Sequence, residues 1–136
     1  MPTSTISGSP IIDHCIYDNR GQYDRIVPYI LPGETLKAVY DCKGVGTRFV
    51  SITDQRLIFY DQGILLKKKS MISIPYHHVI GLACVDEGTL FQSTEITLLT
   101  PVGRFTFEFD GVEKAQWCYR YVMNQILNQV HPQLPG

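Results

Sequence analysis

From Glu34 to Phe109 the chain is a succession of short runs in which apolar and polar residues alternate, broken by turn-forming residues. A period of two is the signature of a half-buried strand. The segment 35–42 alternates roughly and leads into Lys43-Gly44-Val45-Gly46, whose glycines suit a turn. The runs 47–53 and 56–61 follow, separated by Asp54-Gln55, and the second is largely apolar on both faces. After Gln62-Gly63 and Ile64-Leu65-Leu66 comes Lys67-Lys68-Lys69, then a strand from Ser70 to Ile74 ended by Pro75. Further strands are expected at 79–85, where Gly81 marks a bend, and at 91–100, with Asp86-Glu87-Gly88 as the turn between them. Thr100-Pro101-Val102-Gly103 has Pro second and Gly fourth, as a type I turn prefers. The run 104–109 then alternates without a fault, which points Phe105, Phe107 and Phe109 inward and Arg104, Thr106 and Glu108 outward.

Beyond Asp110 the period lengthens. Val112, Ala115, Tyr119, Val122, Ile126 and Val130 recur at helical spacing, and Cys118, Met123 and Leu127 widen the stripe. The pattern predicts a helix from 111 to about 130, with Asp110 as N-cap, Glu113 completing a capping box and His131-Pro132 as the stop. At the other end, residues 1–12 are rich in Ser, Thr, Pro and Gly and read as a flexible lead-in. Tyr23, Ile26, Val27 and Ile30 are spaced as on a helix, but Pro28 and Pro32 restrict this to one short helix or turn near 22–30, docked on the core. Seven consecutive strands and one amphipathic helix predict a mainly β fold: an antiparallel, up-and-down sheet that curls, with the helix closing an open end.

Composition speaks to fold class more than to activity, but it sets some function classes aside. The 136 residues make one domain with room for a core of its own. A net charge of −1 lacks the positive surplus of a duplex nucleic-acid binder, so no nucleic-acid partner is expected. No apolar run reaches the eighteen residues of a spanning helix and the start lacks the blocks of a signal peptide, which sets the expected compartment as the cytosol. Cys15, Cys42, Cys84 and Cys118 are irregularly spaced, with no close ligand pair for zinc; they read as reduced, mostly buried thiols. His77-His78 is the only histidine pair and reads as turn or surface. Asp54, Asp61, Asp86 and Glu87 lie at strand ends and turns without pairing as acid and base, and Gly44-Val45-Gly46 lacks the rest of a phosphate-binding fingerprint. No enzyme activity and no metal or other cofactor is expected.

Three stretches together resemble the bacterial pleckstrin-homology (PH) domain family: Tyr29-Ile30-Leu31-Pro32-Gly33-Glu34 as its LPGE entry, Thr53-Asp54-Gln55-Arg56-Leu57-Ile58-Phe59 as its T-x-x-R-L-I-F strand pair, and Ile72-Ser73-Ile74-Pro75-Tyr76 as its ISIPY strand end. They occur in order between about 29 and 130 and are followed by a terminal helix. The resemblance implies a bent, seven-stranded antiparallel barrel capped by the last helix, with residues 1–28 as an N-terminal extension, 29–131 as the PH-like domain and 132–136 as a tail. It also implies a non-catalytic module, and some members assemble into symmetric rings. Eukaryotic lipid-binding relatives carry a dense basic motif around the first hairpin, where this chain offers only Lys43 and Arg48.

Three surfaces are candidates for binding. The helix side away from the core carries Gln116, Trp117, Tyr121, Asn124, Gln125 and Asn128, and the helix has only Glu113, Lys114 and Arg120 as charges. Aromatic and Arg residues with little surrounding charge suit an interface, so Trp117, Tyr121, Arg120 and Asn124 are expected to meet another protein, first of all a second copy of this chain. The competing expectation is that Trp117 folds over the rim as peripheral core. Lys67, Lys68 and Lys69, widened by Lys43 and Arg48, either meet an anionic surface such as a peripheral membrane contact or simply protect a strand edge. Free edges and outward Thr94, Thr97 and Thr106 suit strand pairing between chains, or ordinary exposure.

Overall fold

The computed structural model describes residues 15–43, 47–63, 66–85 and 94–130. Its first sheet has the strand order β1 (Ile16–Tyr17), β2 (Leu36–Asp41), β3 (Thr47–Thr53), β4 (Arg56–Gln62) and β5 (Lys69–Pro75). Its second has the order β6 (Gly81–Cys84), β7 (Glu95–Thr100) and β8 (Gly103–Glu108). The pairs from β2 to β5 and from β6 to β8 are antiparallel. Helix α1 (Arg20–Ile26) precedes β2, and α2 (Val112–Val130) follows β8. All seven expected strands are present. The eighth, β1, corrects the up-and-down expectation, because it pairs parallel to β2 through Ile16–Ala38 and Tyr17–Val39. The sheets bend toward one another rather than closing fully; just past β2 the chain meets the end of β8 at an isolated bridge where the Lys43 amide donates to the Glu108 carbonyl at 2.8 Å. The lead-in 1–12, the turns 44–46 and 86–88 and the tail 132–136 lie outside the described residues.

Pleat parity places the main core between the sheets. Ala38, Tyr40, Val50, Ile52, Leu57 and Phe59 face inward from the first sheet, and Phe105 and Phe107 from the second. The Phe59 ring lies 4.8 Å from Phe105 and 5.2 Å from Phe107, each packed at a tilt or edge-on. Each buried phenylalanine adds roughly 1.5–3 kcal/mol of burial free energy. Helix α2 completes this core with Ala115, Cys118, Val122 and Ile126. The stripe is therefore centred one position from the expected one: Cys118 is at its middle, Tyr119 at its margin, and Leu127 is 52% exposed. The expected N-cap is corrected too. The helix begins at Val112 after Gly111, whose φ is +125°, and the Asp110 carboxylate instead holds the Lys43 ammonium at 3.1 Å.

A second core occupies the other face of the first sheet. Leu36, Val39, Phe49 and Ile58 point outward there and pack with Tyr23, Ile26 and Ile30. A register shift between Leu36 and Ala38 lets Leu36 and Val39 share that face. This explains the two-sided apolarity of 56–61: one face meets the main core, the other meets α1. The short helix expected near 22–30 is α1 followed by a 3-10 turn, Val27–Tyr29, in which Pro28 stands where its fixed φ suits a helical start. Asn19 caps α1, its side-chain oxygen accepting from the amides of Gly21 at 2.8 Å and Gln22 at 3.2 Å. Asp18 ties this segment to both neighbours, accepting from the Asp41 amide at 2.9 Å and pairing with Lys114 of α2 at 2.7 Å.

Candidate functional site

Because α2 buries one stripe, its opposite side is set by what remains. Glu113, Gln116, Trp117, Arg120, Tyr121 and Asn124 line a shallow, open depression of about 620 Å³ along that side. The Trp117 and Tyr121 rings, one turn apart, stack with centroids 5.1 Å apart and planes 2° from parallel. Trp117 also stands edge-on to Tyr40, at 5.9 Å and 90°. It thus touches the rim of the main core and contributes to the outer depression at once. Burial, with the negative charge of Asp54 adding to it, pushes the Tyr121 phenol up to about 12. Arg120 and Asn124 are exposed beside the aromatic pair. The structure therefore brings Trp117, Tyr121, Arg120 and Asn124 onto one surface.

The five basic residues share one end of the first sheet, because the β2–β3 and β4–β5 connections lie on the same side of an antiparallel array. They are not equivalent. Lys43 is held by Asp110. Arg48 is exposed on β3, two strands from Lys69, a spacing of about 10 Å. Lys67, Lys68 and Lys69 are exposed, Lys67 with a φ of +57°, and Leu66 beside them is 59% exposed. The outward threonines pair across strands, Thr97 Oγ1 lying 3.1 Å from Thr106 Oγ1.

One constellation was not singled out from the sequence as a site. Glu34, 3% exposed, receives the Arg56 guanidinium through two parallel bonds, Nε to Oε2 at 2.8 Å and Nη2 to Oε1 at 2.9 Å. Glu34 also accepts from the Leu31 amide at 3.0 Å and the Thr53 hydroxyl at 2.7 Å. Arg56 donates further to Ser73 Oγ and the Tyr29 carbonyl, and Tyr76 donates its hydroxyl to the Thr53 carbonyl at 2.7 Å. Burial raises the Glu34 pKa, but hydrogen bonds from Arg56, Leu31 and Thr53 outweigh it and hold the carboxyl below its ordinary value. All three sequence stretches that resemble the PH family therefore meet in one polar staple. The signal was in those stretches, whose charged and hydroxyl residues are the ones joined. The staple floors an open depression of about 630 Å³ edged by Leu31, Pro32, Gln55, Pro75 and His77.

The remaining reactive groups are dispersed. Burial, reinforced by a neighbouring cysteine, pushes the Cys42 thiol well up and the Cys118 thiol to about 12, which disfavours the nucleophilic thiolate. Cys84 is exposed. His77 and His78 lie exposed in a 3-10 turn with rings 4.2 Å apart. Among the described residues, no group of three or more His, Cys, Asp or Glu side chains is placed to hold a metal ion. No helix among them is long and apolar enough to cross a membrane.

Two bent, mainly antiparallel sheets of five and three strands with a C-terminal helix packed against both define a PH-like fold. Solved structures agree. A DUF1696 family protein with a pleckstrin-homology domain from Shewanella loihica PV-4 matches with a TM-score of 0.57 and 20% identity, over 80% of this chain and 93% of that one. A pleckstrin homology domain from Shewanella amazonensis SB2B matches with a TM-score of 0.52 and 27% identity, over 77% and 88%. The C-terminal domain of an unknown protein from Leishmania infantum gives 0.55 and 23%, over 80% and 98%. In sequence, the chain is 26% identical to the uncharacterized protein YozO of Bacillus subtilis strain 168 over 80 residues, which are 59% of this chain and 68% of that protein. No protein-family model matches. The resemblance to bacterial PH domains drawn from the three sequence stretches is thus shown by the structural neighbours.

Proposed function

We propose that this chain is a non-catalytic PH-like binding module that acts by protein–protein contact and self-associates through the outward side of α2. The observation that carries the reading is the stacked Trp117–Tyr121 pair, set in an open depression whose other lining residues are two amides, one Arg and one Glu. Trp, Tyr and Arg concentrate binding energy when desolvated, whereas a helix side meant only for water carries more charge. Light scattering coupled to size exclusion tests the proposal. A mass that is a multiple of 15.4 kDa is expected at tens of micromolar. Tyr121→Asp is expected to reduce it to one copy, and Gln116→Arg, at an exposed position, to do the same without touching the core. A wild-type mass of one copy overturns the reading.

A second reading rests on Leu66, an exposed apolar residue beside three exposed lysines. An apolar contact together with about 1 kcal/mol per lysine suits attachment to an anionic lipid surface. Binding to phosphatidylserine vesicles that falls with salt and is abolished in a Lys67→Gln, Lys68→Gln, Lys69→Gln variant supports it; binding unchanged in that variant rejects it.

A further inference from the structure

The charges on the α2 depression limit how two copies can meet. Glu113 and Arg120 are seven residues apart, about 10.5 Å along the helix, too far to pair with each other. Among the described residues neither makes an ion pair, and both are exposed. Opposite charges thus stand on one stripe, with the stacked rings of Trp117 and Tyr121 alongside Arg120. A parallel copy in register would set Arg120 against Arg120 and Glu113 against Glu113. An antiparallel copy reverses the order and sets unlike groups together.

Resting on the self-association proposed above, we infer that two copies pair as a closed, isologous dimer in which the α2 helices run antiparallel, with the twofold axis at the level of Trp117. At a rise of about 1.5 Å per residue, this axis puts each Arg120 between Glu113 and Trp117 of the other copy, about 1.5 Å along the axis from the former and about 4.5 Å from the latter. The guanidinium then gains an ion pair and an aromatic face, and the operation makes each contact twice. Gln116, Tyr121 and Asn124 border this centre and supply hydrogen-bonding groups to its rim. The occupant is a second copy because the stripe is complementary to its own reversal. The dimer closes because the same patch is used by both copies, leaving no α2 surface for a third.

Charge exchange tests the arrangement. Wild-type protein is expected to have the mass of two copies. Glu113→Arg alone and Arg120→Glu alone are each expected to weaken association at least about tenfold, since like charges then face one another twice. The combined Glu113→Arg, Arg120→Glu variant is expected to return to within about threefold of wild type, because the exchanged pair has the same geometry. Both substituted positions are exposed, and a circular dichroism spectrum like that of the wild type shows that each variant folds. A mass above two copies, or a dimer that both single variants leave intact, overturns the antiparallel pairing while leaving self-association standing. A wild-type monomer overturns both.

Discussion

Glu34 is the residue on which the polar interior turns. Its two oxygens accept from Arg56, Thr53 and the Leu31 amide, and removing Arg56 leaves a nearly buried carboxylate without its counter-charge. Arg56→Ala is therefore expected to cost about 3–5 kcal/mol of stability in urea unfolding. Arg56→Lys does not rescue it fully, since an ammonium cannot make the two parallel bonds. The pH dependence follows from the direction of the Glu34 shift. Its folded pKa lies below the unfolded value of about 4.3, so its stabilisation is complete above that value and is lost as pH falls through the folded pKa. Thermal melts between pH 6 and about pH 3 are expected to show a smaller acid loss in Glu34→Gln, on a baseline already lowered at neutral pH. An equal acid loss in both proteins would remove Glu34 from this role.

Among the elements, α1 does more than its seven residues suggest. It is capped by Asn19 and it covers Leu36, Val39, Phe49 and Ile58 on the outer face of the first sheet. Ile26, fully buried there, is the central contact; Ile26→Ala is expected to cost about 2–4 kcal/mol in urea unfolding. Ile26→Asp is expected to expose that face and raise binding of a hydrophobic dye; dye binding at the wild-type level would mean that α1 is dispensable to the outer core. The strands were legible because an alternating run such as 104–109 states its buried face outright, and α2 because a long amphipathic period admits one reading. What the sequence hid was contact between distant segments. Nothing local in Ile16-Tyr17 shows that it joins β2 in parallel. The polar Lys43–Asp110 and Glu34–Arg56 pairs span 67 and 22 residues, and a one-dimensional pattern carries no pairing over such distances. The Asp110 side chain illustrates this: a capping group by position became the anchor of a lysine on another element. On the α2 surface the residues were legible, while the ring stacking and the Tyr40 contact that orient Trp117 required the fold.

At the scale of the whole molecule, two cores share the strands β2, β3 and β4, one on each face. Strand β3 is paired on both sides and exposed only at Arg48, whereas β6 pairs with β7 alone and exposes Ala83 and Cys84. Hydrogen exchange is accordingly expected to be slowest in 49–52 and faster in 81–84; the reverse order would place the stability centre elsewhere. The two-sided burial has a cost in specification. In a sheet with one wet face, sliding a strand by a single residue throws its apolar side chains into water, and that penalty selects the alignment. Strand β4 has no such sentinel, since Leu57, Ile58 and Phe59 are all out of water, so a slipped partner would still find grease on either side. What distinguishes the correct alignment is the tight corner at Thr53, whose hydroxyl accepts from the Gln55 and Arg56 amides, and the carboxylate waiting there for Arg56. A handful of hydrogen-bonding atoms, rather than the greasy majority, thus decides which of several equally oily threadings becomes the native one.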